Sequence, residues 1–199
     1  MLVVQKARFF TAGSRLKTIN NLLLVAIIGV NAYIVMSPFW QQVKFKFDTI
    51  SQPGINLSNP ESIPSIDRAK THLVIPSLRF DEPVFVGLSQ SLVNKGIWHR
   101  PASSTPDKGG NTVLAGHRFT YLGSAVFYNL DKLRVGDEMA LVWNKKIYKY
   151  KVENIRTASP SDEEAESRTS DDRLTLFTCT PLWTAKNRLV IVSSLQEVL

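Results

Sequence analysis

Cysteine is nearly absent from this chain: Cys179 is the only one among 199 residues. No disulfide can form within the chain, so the fold cannot depend on one. Acids are missing from the N-terminal end, where Asp48 is the first. Residues 1–48 hold six basic side chains (Lys6, Arg8, Arg15, Lys17, Lys44 and Lys46) against that one acid, a net +5. The remaining residues hold 18 basic and 16 acidic side chains, only +2, so the high isoelectric point reflects mainly one end. No basic run interleaved with aromatics occurs in the rest of the chain, which argues against nucleic-acid binding.

Charge is also lacking from Thr18 to Val43. Asn20 to Trp40 supplies about the ~20 residues that a helix needs to cross a bilayer core. The sequence therefore predicts a basic cytoplasmic segment over 1–21 and a transmembrane signal-anchor helix over 22–40. Pro38 would end that helix, and Phe39 and Trp40 would sit at the far interface. Cations before the span orient it with everything that follows outside the cell, in a single-pass topology. A cleaved signal peptide is the competing reading, disfavoured by the length of the run and by the lack of a nearby small-x-small site.

Residues 41–70 mix Ser, Asn, Pro, Gln and Gly, including Gln52-Pro53-Gly54 and Asn59-Pro60, and are expected to be an extracellular stalk. Ser62 to Arg68 is the one part that could form a short helix. From Thr71 to the C-terminus the texture is β. Short apolar runs occur at Thr71–Pro76, Val84–Val86 and Asn111–His117, and Ile147–Val152 alternates with period two after a turn at Trp143-Asn144-Lys145. Asp81-Glu82-Pro83 reads as a connection, Ala125–Asp131 as a short helix, and acidic Ala158–Asp172 as a long surface loop. Many short strands separated by turns point to an all-β, closed or nearly closed barrel over 71–199.

Near the end of this domain lies Leu174-Thr175-Leu176-Phe177-Thr178-Cys179-Thr180-Pro181. The run reads as a strand that stops at a proline, which puts the thiol at the rim of a sheet. A lone cysteine is most often a small buried hydrophobe. On an exported domain, where cysteines normally pair, an unpaired one is a candidate reactive thiol. Its reactivity requires a base or cation nearby. The chain offers His117, in Ala115-Gly116-His117-Arg118, and Arg188, in Asn187-Arg188-Leu189-Val190.

Thr175 to Cys179 fits the TLxTC signature, and together with Ala-Gly-His before it and an arginine after it the chain resembles the sortases, cysteine transpeptidases of bacterial cell surfaces. The order is His, Cys, Arg, with separations of 62 and 9 residues. The flanks look closest to the class D or E members. The resemblance implies an eight-stranded barrel with one or two short helices. It also implies a membrane-anchored enzyme that cleaves an LPxTG-like sorting motif, holds the acyl group as a thioester and passes it to an amine such as a peptidoglycan cross-bridge or stem peptide. In that reading Cys179 is the nucleophile, His117 the general acid and base, and Arg188 the electrostatic and positional group. Thr178, Arg118, His99 and Trp98 are secondary candidates for contact with substrate.

No cofactor is expected. A metal between the stretch 103–111 and the acidic loop is not expected either, because Asp107 alone would face Asp162, Glu163 and Glu164. The chain shows neither the aspartate-proline-aromatic signature of a lid nor a C-terminal hydrophobic tail, and the latter fits general surface anchoring better than pilus assembly. Papain-like enzymes place cysteine before histidine, the reverse of the order here, and L,D-transpeptidases hold the two much closer together. A tethered barrel that binds partners without catalysis is the non-enzymatic alternative.

Overall fold

A computed structural model describes residues 10–51, 57, 66–120 and 123–199. The chain divides into two compact units, Met1–Phe47 and Asp48–Leu199. Helix α1 covers Phe10–Ser51. Within it, Arg15–Met36 is apolar enough and, at 22 residues, long enough to cross a membrane. At 1.5 Å per residue it spans about 33 Å, against about 30 Å of hydrocarbon. The helix does not stop at Pro38 as expected. A proline interrupts a single hydrogen bond of the ladder, and no further breaker follows until Pro53-Gly54.

Eight strands make up the second unit: β1 (His72–Ile75), β2 (Phe80–Val86), β3 (Ile97–His99), β4 (Asn111–Ala115), β5 (Glu138–Trp143), β6 (Lys146–Ala158), β7 (Arg173–Thr180) and β8 (Asn187–Val198). They close into a barrel in the order β1-β2-β3-β4-β7-β8-β6-β5. The pairs β2/β3 and β4/β7 are parallel and the others antiparallel. Alternate residues fill the interior: Leu73 and Ile75 of β1, Leu114 of β4, Leu174 and Leu176 of β7, and Leu189 and Ile191 of β8 share one core. The expected turn at Trp143-Asn144-Lys145 is a two-residue hairpin with Asn144 and Lys145 both at positive φ, as the strand twist requires.

Two local expectations give way. Asp81-Glu82-Pro83 is not a connection but the body of β2, paired with His72, Leu73 and Val74. Pro83 is tolerated because the next amide, Val84 N, donates to Thr71 O at 2.9 Å and carries the ladder past it. β3 lies between Gly96 and Pro101 and is too short to show a period. Ala125–Asp131 is not an α-helix. It is a turn leading into the 3₁₀ turn Leu130–Lys132, held by i to i+3 bonds such as Leu130 N to Phe127 O at 3.2 Å. Phe127, Leu130 and Leu133 enter the barrel core at a spacing of three, which matches the 3₁₀ period rather than 3.6, and Tyr128 is buried beside them.

Within the expected stalk, residues 52–56 and 58–65 lie outside the described residues, and with them most of the short helix considered for Ser62–Arg68. Leu57 and Ile66 are buried together with Val74, Ala140, Val142 and Ile147. These strand residues alternate with the interior ones, so this cluster lies on the outer face of β1, β5 and β6.

Candidate active site

The alternation that sends Leu174 and Leu176 inward sends Phe177 and Cys179 outward. Cys179 is partly exposed and free. Across the β7/β8 ladder its direct partner is Arg188, and Phe177 pairs with Val190 in the same register. Thiol and guanidinium therefore share one face at the end of two paired strands, because partners in register point the same way.

On the other side of β7 runs β4. The last registered pair is Ala115 with Phe177, and Gly116 N donates to Phe177 O at 3.3 Å. His117 and Cys179 are each two residues beyond that pair. Gly116 is required by packing: a Cβ there would come within 2.7 Å of Phe127 Cδ2 and 2.8 Å of Val126 Cγ2. The bare glycine lets the 126–129 turn close against the strand end, where Phe127 N donates to His117 O at 3.0 Å.

His117 is partly buried, and loss of water around the ring pulls its pKa below the ordinary 6.5, so the imidazole is mainly neutral at neutral pH. Its Nε2 lies 2.9 Å from Asn94 Oδ1. An amide oxygen can only accept, so this contact places a proton on Nε2. Among the described residues no hydrogen bond joins the sulfur to His117 or to Arg188. Arg188 Nη1 donates to Ala185 O at 3.3 Å and to Asn187 O at 3.2 Å, which ties the guanidinium to the β7–β8 connection.

Beside Arg188 opens a groove of about 240 Å³. Phe177, Val190, Ala158 and Ala165 supply its apolar lining, and Gln90, Arg100 and Glu166 supply polar groups. One wall is the acidic loop after β6, which is pinned by ion pairs. Arg100 donates to Glu166 Oε2 from Nε at 3.0 Å and from Nη2 at 2.9 Å, and Arg156 pairs with Asp162. The hydrogen bond from Arg156 holds the Asp162 carboxyl below its ordinary value. Among the described residues no cluster of three or more His, Cys, Asp or Glu could hold a metal ion.

The secondary candidates fall in three places. Thr178 is buried, and its Oγ1 donates to Gly116 O at 2.8 Å. Arg118 reaches Thr180 Oγ1 from Nη1 at 2.9 Å and Asp131 Oδ2 from Nη2 at 2.6 Å. Trp98 and His99 are both buried in the barrel wall. Trp98 Nε1 donates to Gly87 O at 2.9 Å, and Arg100 lies 4.8 Å over the indole ring. His99 Nε2 is 2.9 Å from Ser104 O, and its ring packs 5.2 Å from that of Trp143. Asn94, Asp131, Thr180 and the Arg100–Glu166 pair are the groups that sequence reasoning passed over. No motif marks them, since each reaches the site through a contact far apart in the chain.

The arrangement offers a partly exposed thiol, a cation across the ladder and an imidazole just past the end of the adjoining strand β4. Those are the parts needed for acyl transfer through a thioester. The Sortase domain family model matches residues 73–196. Sortase SrtE2 of Streptomyces coelicolor is 24% identical over 208 residues, covering 90% of this chain and 81% of the relative. Sortase D of Bacillus subtilis is 28% identical over 119 residues, covering 59% and 58%. Among solved structures, sortase C-3 from Streptococcus pneumoniae superposes with a TM-score of 0.59 at 32% identity, covering 65% of this chain and 63% of that one. The Clostridium perfringens Sortase D5 transpeptidase gives 0.58 at 25%, covering 69% and 86%. With a family model matching well over half of its length and a closed eight-stranded barrel in common with these structures, the chain belongs to the sortase family, a family of cysteine transpeptidases.

Proposed function

We propose that this protein is a membrane-anchored sortase that cuts an LPxTG-like sorting motif and joins the freed acyl group to an amine of the cell wall. The observation that carries the reading is the cross-strand pairing of Cys179 with Arg188 beside a groove of mixed polar and apolar lining, with His117 just past the end of the adjoining parallel strand β4. The groove suits an extended peptide that presents an aliphatic side chain to Phe177 and Val190.

Cys179, as thiolate, attacks the carbonyl between threonine and glycine. The negative charge that develops on the carbonyl oxygen accepts hydrogen bonds from Arg188, whose remaining donors face no acceptor among the described residues. His117 in its imidazolium form gives its proton to the departing amine, and the C–N bond breaks to leave a thioester. An incoming amine then attacks the thioester, neutral His117 takes the proton, and Cys179 leaves as thiolate. With water in place of the amine the outcome is hydrolysis. Burial of His117 keeps the imidazolium scarce at neutral pH but makes it a stronger acid when present.

The apolar helix over Arg15–Met36 supports attachment to the membrane with the barrel outside the cell. The test is turnover of LPxTG-type peptides with and without an added amine. Amine-dependent formation of the ligated product by the native protein, and none by Cys179→Ala, is the expected result. Equal cleavage by both proteins would overturn the proposal.

A further inference from the structure

The β4/β7 backbone pairing ends one step too early to hold the two reacting groups. Its last hydrogen bond runs from Gly116 N to Phe177 O, while His117 and Cys179 lie beyond it. Two side-chain hydrogen bonds continue the connection. Thr178 Oγ1 donates to Gly116 O at 2.8 Å, and Arg118 Nη1 donates to Thr180 Oγ1 at 2.9 Å. Thr178 and Thr180 flank Cys179, and Gly116 and Arg118 flank His117. Each neighbour of the cysteine is thus tied to a neighbour of the histidine.

The second tie is itself anchored. Arg118 Nη2 lies 2.6 Å from Asp131 Oδ2, and the arginine side chain is only 12% exposed. Asp131 sits in the 3₁₀ turn whose Leu130 is buried in the core. Arg118 Nε is buried and has no hydrogen-bond partner among the described residues, so the guanidinium is held through its two terminal nitrogens alone. A planar fork can satisfy two acceptors at fixed separation, and an ammonium on a flexible stem cannot hold both in the same way.

We infer that Arg118, clamped between Asp131 and Thr180, is a positioning residue that fixes the spacing of His117 from Cys179 for proton delivery to the leaving group. The inference rests on the sortase reading above. Arg118 acts through Thr180 and does not contact substrate. Loss of the clamp should therefore slow the step that needs His117 as acid while leaving substrate binding and the thiol itself intact.

Arg118→Lys tests this with two peptides of the same sequence, one with the scissile amide and one with an ester in its place. An alkoxide leaves with less help from an acid than an amine does. The expected result with the amide is a fall in kcat on the order of 10²-fold with KM little changed, as for a misplaced catalytic group. With the ester the loss should shrink to under about tenfold, because acid catalysis matters less. Alkylation of Cys179 by iodoacetamide should proceed near the native rate. Thr180→Val, which removes only the acceptor, should show the same amide-over-ester pattern and serves if Arg118→Lys fails to fold. An equal loss on both peptides, or no loss, would overturn the inference. Absence of any acyl-enzyme in the native protein would instead defeat the sortase reading and the inference with it.

Discussion

Thr178→Val isolates one hydrogen bond in the site with little change of shape. The Thr178 side chain is 1% exposed, and its hydroxyl donates to Gly116 O at 2.8 Å. Valine keeps the branched outline and the strand preference, so packing is conserved. What disappears is the bond, and what remains is a buried carbonyl without that donor, a combined cost of about 1–3 kcal/mol. For a domain of this size each kcal/mol lowers Tm by roughly 3–5 °C, so a fall of about 3–15 °C is expected by calorimetry of the folded barrel. Thr178→Ser keeps the donor and loses one buried methyl, worth about 1 kcal/mol, so it should melt above the valine variant if the bond matters more than the methyl. The acylation rate should follow the bond, falling in valine and holding in serine. A valine variant that melts within about 1 °C of the native protein and acylates normally would refute the role assigned to this hydroxyl.

Asn94→Asp places a carboxylate against the imidazole and should raise the His117 pKa, moving the pH limb governed by His117 upward from below 6.5; an unmoved limb would show that this histidine does not govern it. The depressed His117 pKa also makes the folded state resist protonation. That contribution to stability is present above 6.5 and is lost as pH falls through the lower folded value, so Asn94→Asp should lessen the loss in thermal melts between pH 7 and 5. Arg188→Lys should keep the fold, being partly exposed, yet lose on the order of 10²-fold in kcat/KM for want of a forked donor set, and activity within about threefold of native would reduce Arg188 to packing. Because Arg156 holds the Asp162 carboxyl below its ordinary 3.8, the contact contributes fully above that pH and is lost only as pH falls through the lower folded value. Protease protection of the 159–172 loop should therefore survive mild acid, whereas Arg156→Gln should expose the loop at pH 7.

The features legible in the sequence are those whose cause is local. A charge-free run identifies α1, a turn at Trp143-Asn144-Lys145 before an alternating run identifies the β5/β6 hairpin, and a motif with its flanks identifies the end of β7. The first part of β2, before the Val84–Val86 run, hides because Asp81, Glu82 and Pro83 are poor strand formers that pairing with β1 holds extended. The segment from Val126 to Lys132 hides because one turn of period three looks like one turn of period 3.6. Pro38 misleads because a helix outlasts the loss of a single bond. In the site, the cross-strand pairing of Cys179 with Arg188 follows from their separation and a tight β7–β8 connection. Asn94, Asp131 and Thr180 are ordinary residue types brought close by barrel closure, and nothing local marks them. His99 and Trp98, selected because Trp98-His99-Arg100 resembles a stretch near the substrate groove of some sortases, are buried in the wall, where the Arg100–Glu166 pair beside them reaches the groove instead.

The most direct measurement is the mass of the protein trapped during turnover. Incubation with an LPxTG-type peptide in the absence of an acceptor amine, followed by acid quench and peptide mapping, should find the acyl fragment on the peptide that contains Cys179, removable by hydroxylamine. An adduct on any other residue, or peptide cleavage with no adduct at Cys179 on any timescale, would contradict the account.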